Sequence, residues 1–265
     1  MTMPNAAQPG YIDTHAHLDS PRFDGDLETM LDRAWQRGLT AIVTIGTGVG
    51  SSRRAVTLAE FDSRIHAAVG IDPHSARTHD GAAWAVIREL AGHARVIALG
   101  ETGLDYHYYL SPESDQKRCF RAHIQLALET GLPLVIHNRE SDGDLLAVLD
   151  EMDPGGQLRI VMHSFSGAPD FAVECLARGY FLSFSGMLTF KSMPWLRAIL
   201  AEAPIDRLLF ETDAPYLAPV PYRGSRNEPA FVAATMDFAA GLLNMSPSQL
   251  CASVTATFHR IFTRA

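Results

Sequence analysis

Eight short apolar runs rich in β-branched residues alternate with amphipathic helical stretches, a pattern that predicts a (β/α)8 TIM barrel. Two further observations point the same way. The 265 residues match the size such a barrel needs, about 250. No Pro/Gly/Ser-rich linker or low-complexity segment divides them. An open doubly wound sheet is the competing architecture, but no G-x-G-x-x-G follows the first strand, which weakens its dinucleotide-binding form. A single barrel domain is expected over residues 11–265, after a polar, flexible extension over residues 1–10. A chain of this length can bury roughly 70–75% of its unfolded surface.

Taken in order, the first strand is read at Tyr11–Leu18. Leu27, Met30, Leu31 and Ala34 then recur at i, i+3, i+4 and i+7, which is one helix face. Strands follow at Leu39–Ile45, Ile65–Ile71 and Val96–Gly100. Ser111 and Pro112 open the next helix as N-cap and N1 proline, with Phe120, Ile124, Ala127 and Leu128 as its stripe. Leu134–His137, Arg159–His163, Tyr180–Ser185 and Leu208–Thr212 complete the eight strands. Ser246-Pro247-Ser248-Gln249 is a capping box ahead of Leu250, Val254, Phe258 and Ile261.

Composition excludes several classes. An apolar content of 47% is too high for disorder. No apolar run approaches the ~18–20 residues of a membrane span. The N-terminal residues show neither the basic segment nor the apolar stretch of a signal peptide. Cys119, Cys175 and Cys251 lie singly in helical patterns and form no disulfide framework, so a cytoplasmic location is expected. The net charge of −8 argues against wholesale electrostatic capture of a nucleic-acid backbone. It leaves open a nuclease whose metal ions supply positive charge locally.

The strand ends carry the chemistry. The first ends Asp13-Thr14-His15-Ala16-His17, the fourth Gly100-Glu101, the fifth His137, the sixth His163 and the eighth Glu211-Thr212-Asp213. In a barrel these ends meet at one rim, where active sites of the fold are built. His15 and His17 are two apart on a strand, so their imidazoles share a face and can chelate. Asp13 shares that face and can ligate or orient a histidine. His137 and His163 have an ordinary alternative as core histidines satisfied by backbone. Four clustered imidazoles would nevertheless leave hydrogen-bonding groups unmet at ~1–3 kcal/mol each, and a cation resolves that. Glu101 and Asp213 have alternatives as a salt bridge or a helix cap. Beside four histidines they are read as neutralising and bridging two divalent ions ~3.5–4 Å apart, which activate one water. Asp213 is then the proton acceptor, with Glu101 the second catalytic carboxylate. Related barrels often bridge their ions with a carbamylated lysine. The only lysines here, Lys117 and Lys191, lie off the strands, so Glu101 bridges two ions or a single ion binds. Imidazole ligands favour zinc, manganese, cobalt or nickel over magnesium.

These motifs, extended to Asp13–Leu18, Gly100–Tyr106, Leu132–Arg139, His163–Gly167 and Glu211–Leu217, resemble the TatD family of metal-dependent hydrolases. So does Pro221–Pro229, and the match runs in order from about residue 11 to 262. The resemblance implies an amidohydrolase-type barrel and a divalent-metal phosphodiesterase, usually described as a DNase, often assayed with magnesium. Carried over by motif, the ligands of two ions are His15, His17, Glu101, His137, His163 and Asp213, with Tyr222 and Arg223 near a substrate phosphate. Three positions depart from the family pattern: Asp72 for a histidine, His123 for a glutamine and Phe258 for an asparagine. A carboxylate at 72 repels phosphate unless paired or protonated, and His74 is a candidate to replace the missing imidazole in part, against the alternative of an exposed loop histidine.

Arg139, Arg223 and Arg226 are candidates to hold a phosphate bidentately, against the alternative of solvated surface. Tyr106, Tyr108, Tyr109, Phe165, Phe190 and Tyr216 follow strand ends, where they can stack on unpaired bases or simply pack loops. The expected activity is 3′-to-5′ exonucleolytic cleavage of single-stranded DNA, with RNA or a small phosphodiester as further substrates, by a monomer. The competing readings are an amide, ester or lactone hydrolase on the same centre, and a metal-stabilised scaffold without turnover. Closed structural sites use four protein ligands on one ion, whereas six over two ions leave room for water.

Overall fold

Strands buried on both faces must read as nearly continuous apolar runs, and here they assemble into a barrel. In the computed structural model, which describes residues 9–263, the strands are β1 (Tyr11–Ala16), β2 (Leu39–Ile45), β3 (Ile65–Val69), β4 (Val96–Asp105), β5 (Leu134–Arg139), β6 (Ile160–Met162), β7 (Phe181–Phe184) and β8 (Leu208–Phe210). They pair in parallel and in sequence order. Residues 1–8 of the expected extension lie outside the described residues. The ring closes just beyond the β1 and β8 ends: His17 N donates to Ala214 O at 2.8 Å and Asp213 N to His15 O at 2.9 Å.

The helices are α1 (Leu27–Gln36), α2 (Val49–Phe61), α3 (Gly81–Ala91), α4 (Glu113–Thr130), α5 (Asp142–Met152), α6 (Pro169–Ala177), α7 (Pro194–Glu202), α8 (Val232–Leu242) and α9 (Pro247–Phe262). Met30, Leu31 and Ala34 of α1 are buried, as their spacing requires. The capping box at Ser246 forms in full, and the Leu250, Val254, Phe258 and Ile261 face of α9 is buried. Phe258 packs its ring 5.0 Å from that of Phe262, a core role. Helix α4 starts one residue later than expected, with Pro112 as the cap. The Ser111 hydroxyl is used elsewhere, donating to His74 O and accepting from Arg77 N. The three cysteines are free and buried. Among the described residues, no helix is long and apolar enough to cross a membrane.

Two glycines let β4 and β5 approach where the site is built. Gly100 and Gly103 have φ of +139° and +131°, and a Cβ at either would strike the β5 backbone, at Val135 O and His137 O respectively. Strand β4 is thereby longer than its apolar run indicates, and Glu101 sits within it rather than at its end.

His123 holds the start of the loop after β3. Its Nδ1 donates to Cys119 O at 2.8 Å and its Nε2 accepts from Ile71 N at 3.1 Å, so the neutral ring is fully used. Burial pushes its pKa down to about 4, with His79 adding a smaller push. The folded pKa lies below the unfolded value of about 6.5, so its stabilisation is complete above pH 6.5 and is lost as pH falls toward 4. The loss is about 3 kcal/mol. A glutamine can make both bonds without titrating. Denaturant unfolding of the metal-free His123→Gln protein should lose about 3 kcal/mol less stability than the wild type between pH 6.5 and 4.

Candidate metal centre

The C-terminal ends of β1, β5, β6 and β8 and the middle of β4 bring His15, His17, Glu101, His137, His163 and Asp213 together at one barrel mouth. His163 and Asp213 lie one and three residues beyond their strands, where the chain turns sharply. Asp213 and the neighbouring Ser164 have φ of 55° and 42°, a left-handed conformation that aspartate tolerates better than most residues.

The six side chains form two half-sites that share Glu101. Its Oε2 lies 3.4 Å from His15 Nε2 and 3.7 Å from His17 Nε2. Asp213 Oδ1 is 3.7 Å and 3.3 Å from the same nitrogens, which are 3.3 Å from each other. Glu101 Oε1 faces the other way, 2.9 Å from His137 Nδ1 and 3.0 Å from His163 Nε2. Bonds of about 2.0–2.1 Å to a tetrahedral ion place its ligands roughly 3.3 Å apart. The first half-site has that spacing, too long for good hydrogen bonds, so its donor atoms fit a divalent cation better than one another. The second supplies only three protein donors, which suits an ion with open positions.

The outward nitrogens decide which lone pairs point inward. His137 Nε2 donates to Asp105 Oδ2 at 2.9 Å, and His163 Nδ1 donates to Glu211 Oε1 at 3.2 Å. Each imidazole is thereby fixed in the tautomer that offers its other nitrogen to a metal. His15 is held differently, its ring stacked on that of His163 at 3.9 Å. The charges alternate in sign. Burial opposes the ionised form of Glu101, but His163, His137 and His15 outweigh it and hold the carboxyl well below its usual range. Burial likewise opposes protonation of His17 and His137, yet Asp213 and Glu101 around the first, and Asp105 and Glu101 around the second, raise both to about 9. A field that retains protons on buried imidazoles also attracts a cation, which must displace those protons to bind.

Asp105 and Glu211 escape a search for ligands because neither faces the centre. The available signal was the need of every metal-binding histidine for a partner on its second nitrogen. Asp13 turns out to be structural: its carboxylate accepts from Thr212 N at 2.9 Å and Thr212 Oγ1 at 2.5 Å, tying β1 to the segment that follows β8. Lys117 is paired with Asp144 at 2.6 Å, away from the mouth.

The centre floors a cavity of about 690 Å³. Arg139 and His74 line it, as do Asp72, Tyr108 and Tyr216. His74 Nε2 is 3.0 Å from Asp105 Oδ2 and its Nδ1 is 3.7 Å from Asp72 Oδ2, so carboxylates face both ring nitrogens. Asp72 accepts from Ser75 N at 2.9 Å, and burial followed by the Glu101 charge raises its pKa. Tyr222 and Arg223 are not among the lining residues: Tyr222 stacks on Phe231 at 3.8 Å and Arg223 lies 3.7 Å over Phe190. Arg226 is engaged bidentately by Asp26 at 2.7 and 2.6 Å. Phe165 is buried against Phe171, and Tyr106 donates its hydroxyl to Asp144.

A parallel eight-stranded barrel with shared histidine–carboxylate half-sites at its C-terminal mouth defines a metal-dependent hydrolase. The chain matches the family model described as TatD related DNase over residues 12–263, and it belongs to that family. It is 39% identical over 253 residues to the uncharacterized metal-dependent hydrolase YabD of Bacillus subtilis, covering 95% of this chain and 98% of YabD. It is 37% identical over 230 residues to the 3′-5′ ssDNA/RNA exonuclease TatD of Musicola paradisiaca, covering 83% and 86%. The crystal structure of YJJV, a TatD homolog from Escherichia coli, superposes with a TM-score of 0.86 at 28% identity, covering 95% of this chain and 97% of that one.

Proposed function

We propose that this chain is a divalent-metal-dependent phosphodiesterase, acting as a 3′-to-5′ exonuclease on single-stranded DNA with RNA as a second substrate. One observation carries the reading: Glu101 presents one oxygen to each of two histidine half-sites, the arrangement of a bridging carboxylate. The relative named as an ssDNA/RNA exonuclease supports the choice of substrate. His15, His17 and Asp213 with Glu101 would hold one ion, and His137 and His163 with the same carboxylate would hold the other. Zinc, manganese, cobalt, nickel or magnesium there supplies the Lewis acidity and positive charge that a chain of net charge −8 lacks.

The remaining roles belong to the protein. Burial opposes the Asp213 charge, but His17, His15 and His163 lower its pKa, so it is ionised at neutral pH and accepts the proton of the attacking water. Arg139 reaches the phosphate from the end of β5, beside His74 on the β3 side of the cavity. Tyr222 and Arg223, outside the cavity, meet only a strand long enough to cross its rim. The test is a chelator-stripped protein reloaded with manganese and given a 5′-labelled oligothymidylate. The expected product is a ladder shortening from the 3′ end, abolished by chelation. Turnover of lactones or amides with the oligonucleotide left intact would instead establish the carbonyl-hydrolase reading. No turnover by the fully loaded protein would make it a scaffold.

A further inference from the structure

Two aromatic side chains stand half exposed at the cavity mouth without a partner that explains their exposure. Tyr108 is 59% exposed and Tyr216 is 52% exposed, and both line the cavity. They come from the loops after β4 and β8, which are four strands apart in a ring of eight and therefore diametrically opposed. Each loop is tied to the metal centre. Tyr108 N donates to Asp105 Oδ1 at 2.7 Å, on the same carboxylate that orients His137. Tyr216 N donates to the backbone oxygen of Asp213 at 2.9 Å, and its own carbonyl accepts from Asn227 Nδ2 at 2.5 Å. Edge-to-face contacts set the rings, Tyr108 against His74 at 5.7 Å and Tyr216 against His17 at 6.1 Å. Exposed aromatics normally cost solubility, and here the two line the substrate cavity from loops on opposite sides of the barrel.

We propose that Tyr108 and Tyr216 form a two-sided clamp on which unpaired bases flanking the scissile phosphate stack, making the bases a determinant of binding. The proposal rests on the exonuclease reading and adds to it how a cavity with one lining arginine and several carboxylates retains a polyanion. Stacking is indifferent to base identity, since every base has a π-face, but it requires the base to be free of its complement. A duplex end must therefore fray before it enters.

The manganese-loaded enzyme is compared with its Tyr108→Leu and Tyr216→Leu variants on two oligothymidylates, one natural and one lacking its last three 3′ bases. KM for the natural strand should rise about 5- to 100-fold in either variant. kcat, metal content and KM for the abasic strand should stay near the wild-type values. Tyr→Phe at either position keeps the π-face and should restore the wild-type KM. Phe61→Ala, a still more exposed aromatic at the C-terminal end of α2 on the opposite face of the barrel, should change neither constant. An unchanged KM in both leucine variants, an equal rise on both substrates, or a loss of metal would overturn the clamp while leaving the exonuclease reading intact. A wild-type enzyme that leaves the natural strand uncut overturns both.

Discussion

Glu101→Gln should lower kcat by about 10⁴-fold, the scale on which a single essential group in a concerted site fails, and should leave at most one ion bound per chain. The reason is geometric. Glu101 supplies an oxygen to each half-site, so its amide leaves one half-site a weaker, neutral oxygen, gives the other an NH2 that cannot ligate, and removes the one negative charge they share. The same carboxylate is held ionised by three histidines despite being buried, so its loss also leaves His137 and His163 facing a neutral group. Metal analysis of the dialysed protein alongside steady-state kinetics checks both effects. Two tightly bound ions and near wild-type turnover in this variant would show that the half-sites do not depend on a bridge. A local cost to folding is separable, since the variant should keep the circular dichroism of the metal-free wild type while any fall in its unfolding midpoint reports the lost buried ion pairs.

Asp213→Asn should act on turnover more than on metal. Asparagine keeps an oxygen where Asp213 Oδ1 faces His15 and His17, so the first half-site retains its donors. It cannot accept a proton, and loss of a positioned general base costs about 10²–10⁴-fold in kcat. In the wild type the neighbouring histidines lower the Asp213 pKa, so the base is lost only as pH falls into the acid range. The part of the acidic limb that belongs to the base should accordingly vanish in the variant, leaving a low rate that falls only where protons compete with the metal for its histidines. Retention of kcat within about threefold would assign the proton to another group.

Much of the architecture was legible because strand burial and helix amphipathicity are period signals. The Met30, Leu31 and Ala34 face and the Ser246 capping box appear where the spacing puts them. The convergence of distant histidines was legible for a different reason: parallel strands all end at one rim, so residues that close apolar runs must meet. What escaped was set by tertiary context. The start of α4 moved because the Ser111 hydroxyl serves the loop after β3 instead of its own helix. β4 runs past its apolar run because Gly100 and Gly103 permit a close approach to β5 that no hydropathy pattern reports. Arg226 reads as a phosphate ligand by residue type, yet Asp26, 200 positions away, already occupies its guanidinium. Asp105 and Glu211 act through histidines from other strands, a pairing visible only once the barrel is closed.

Anomalous diffraction from crystals of the manganese-loaded protein tests the proposed binuclear centre most directly. Two peaks are expected at the barrel mouth, one among His15, His17 and Asp213 and one beside His137 and His163, with the Glu101 carboxylate between them. A single peak, or peaks away from these side chains, would contradict it.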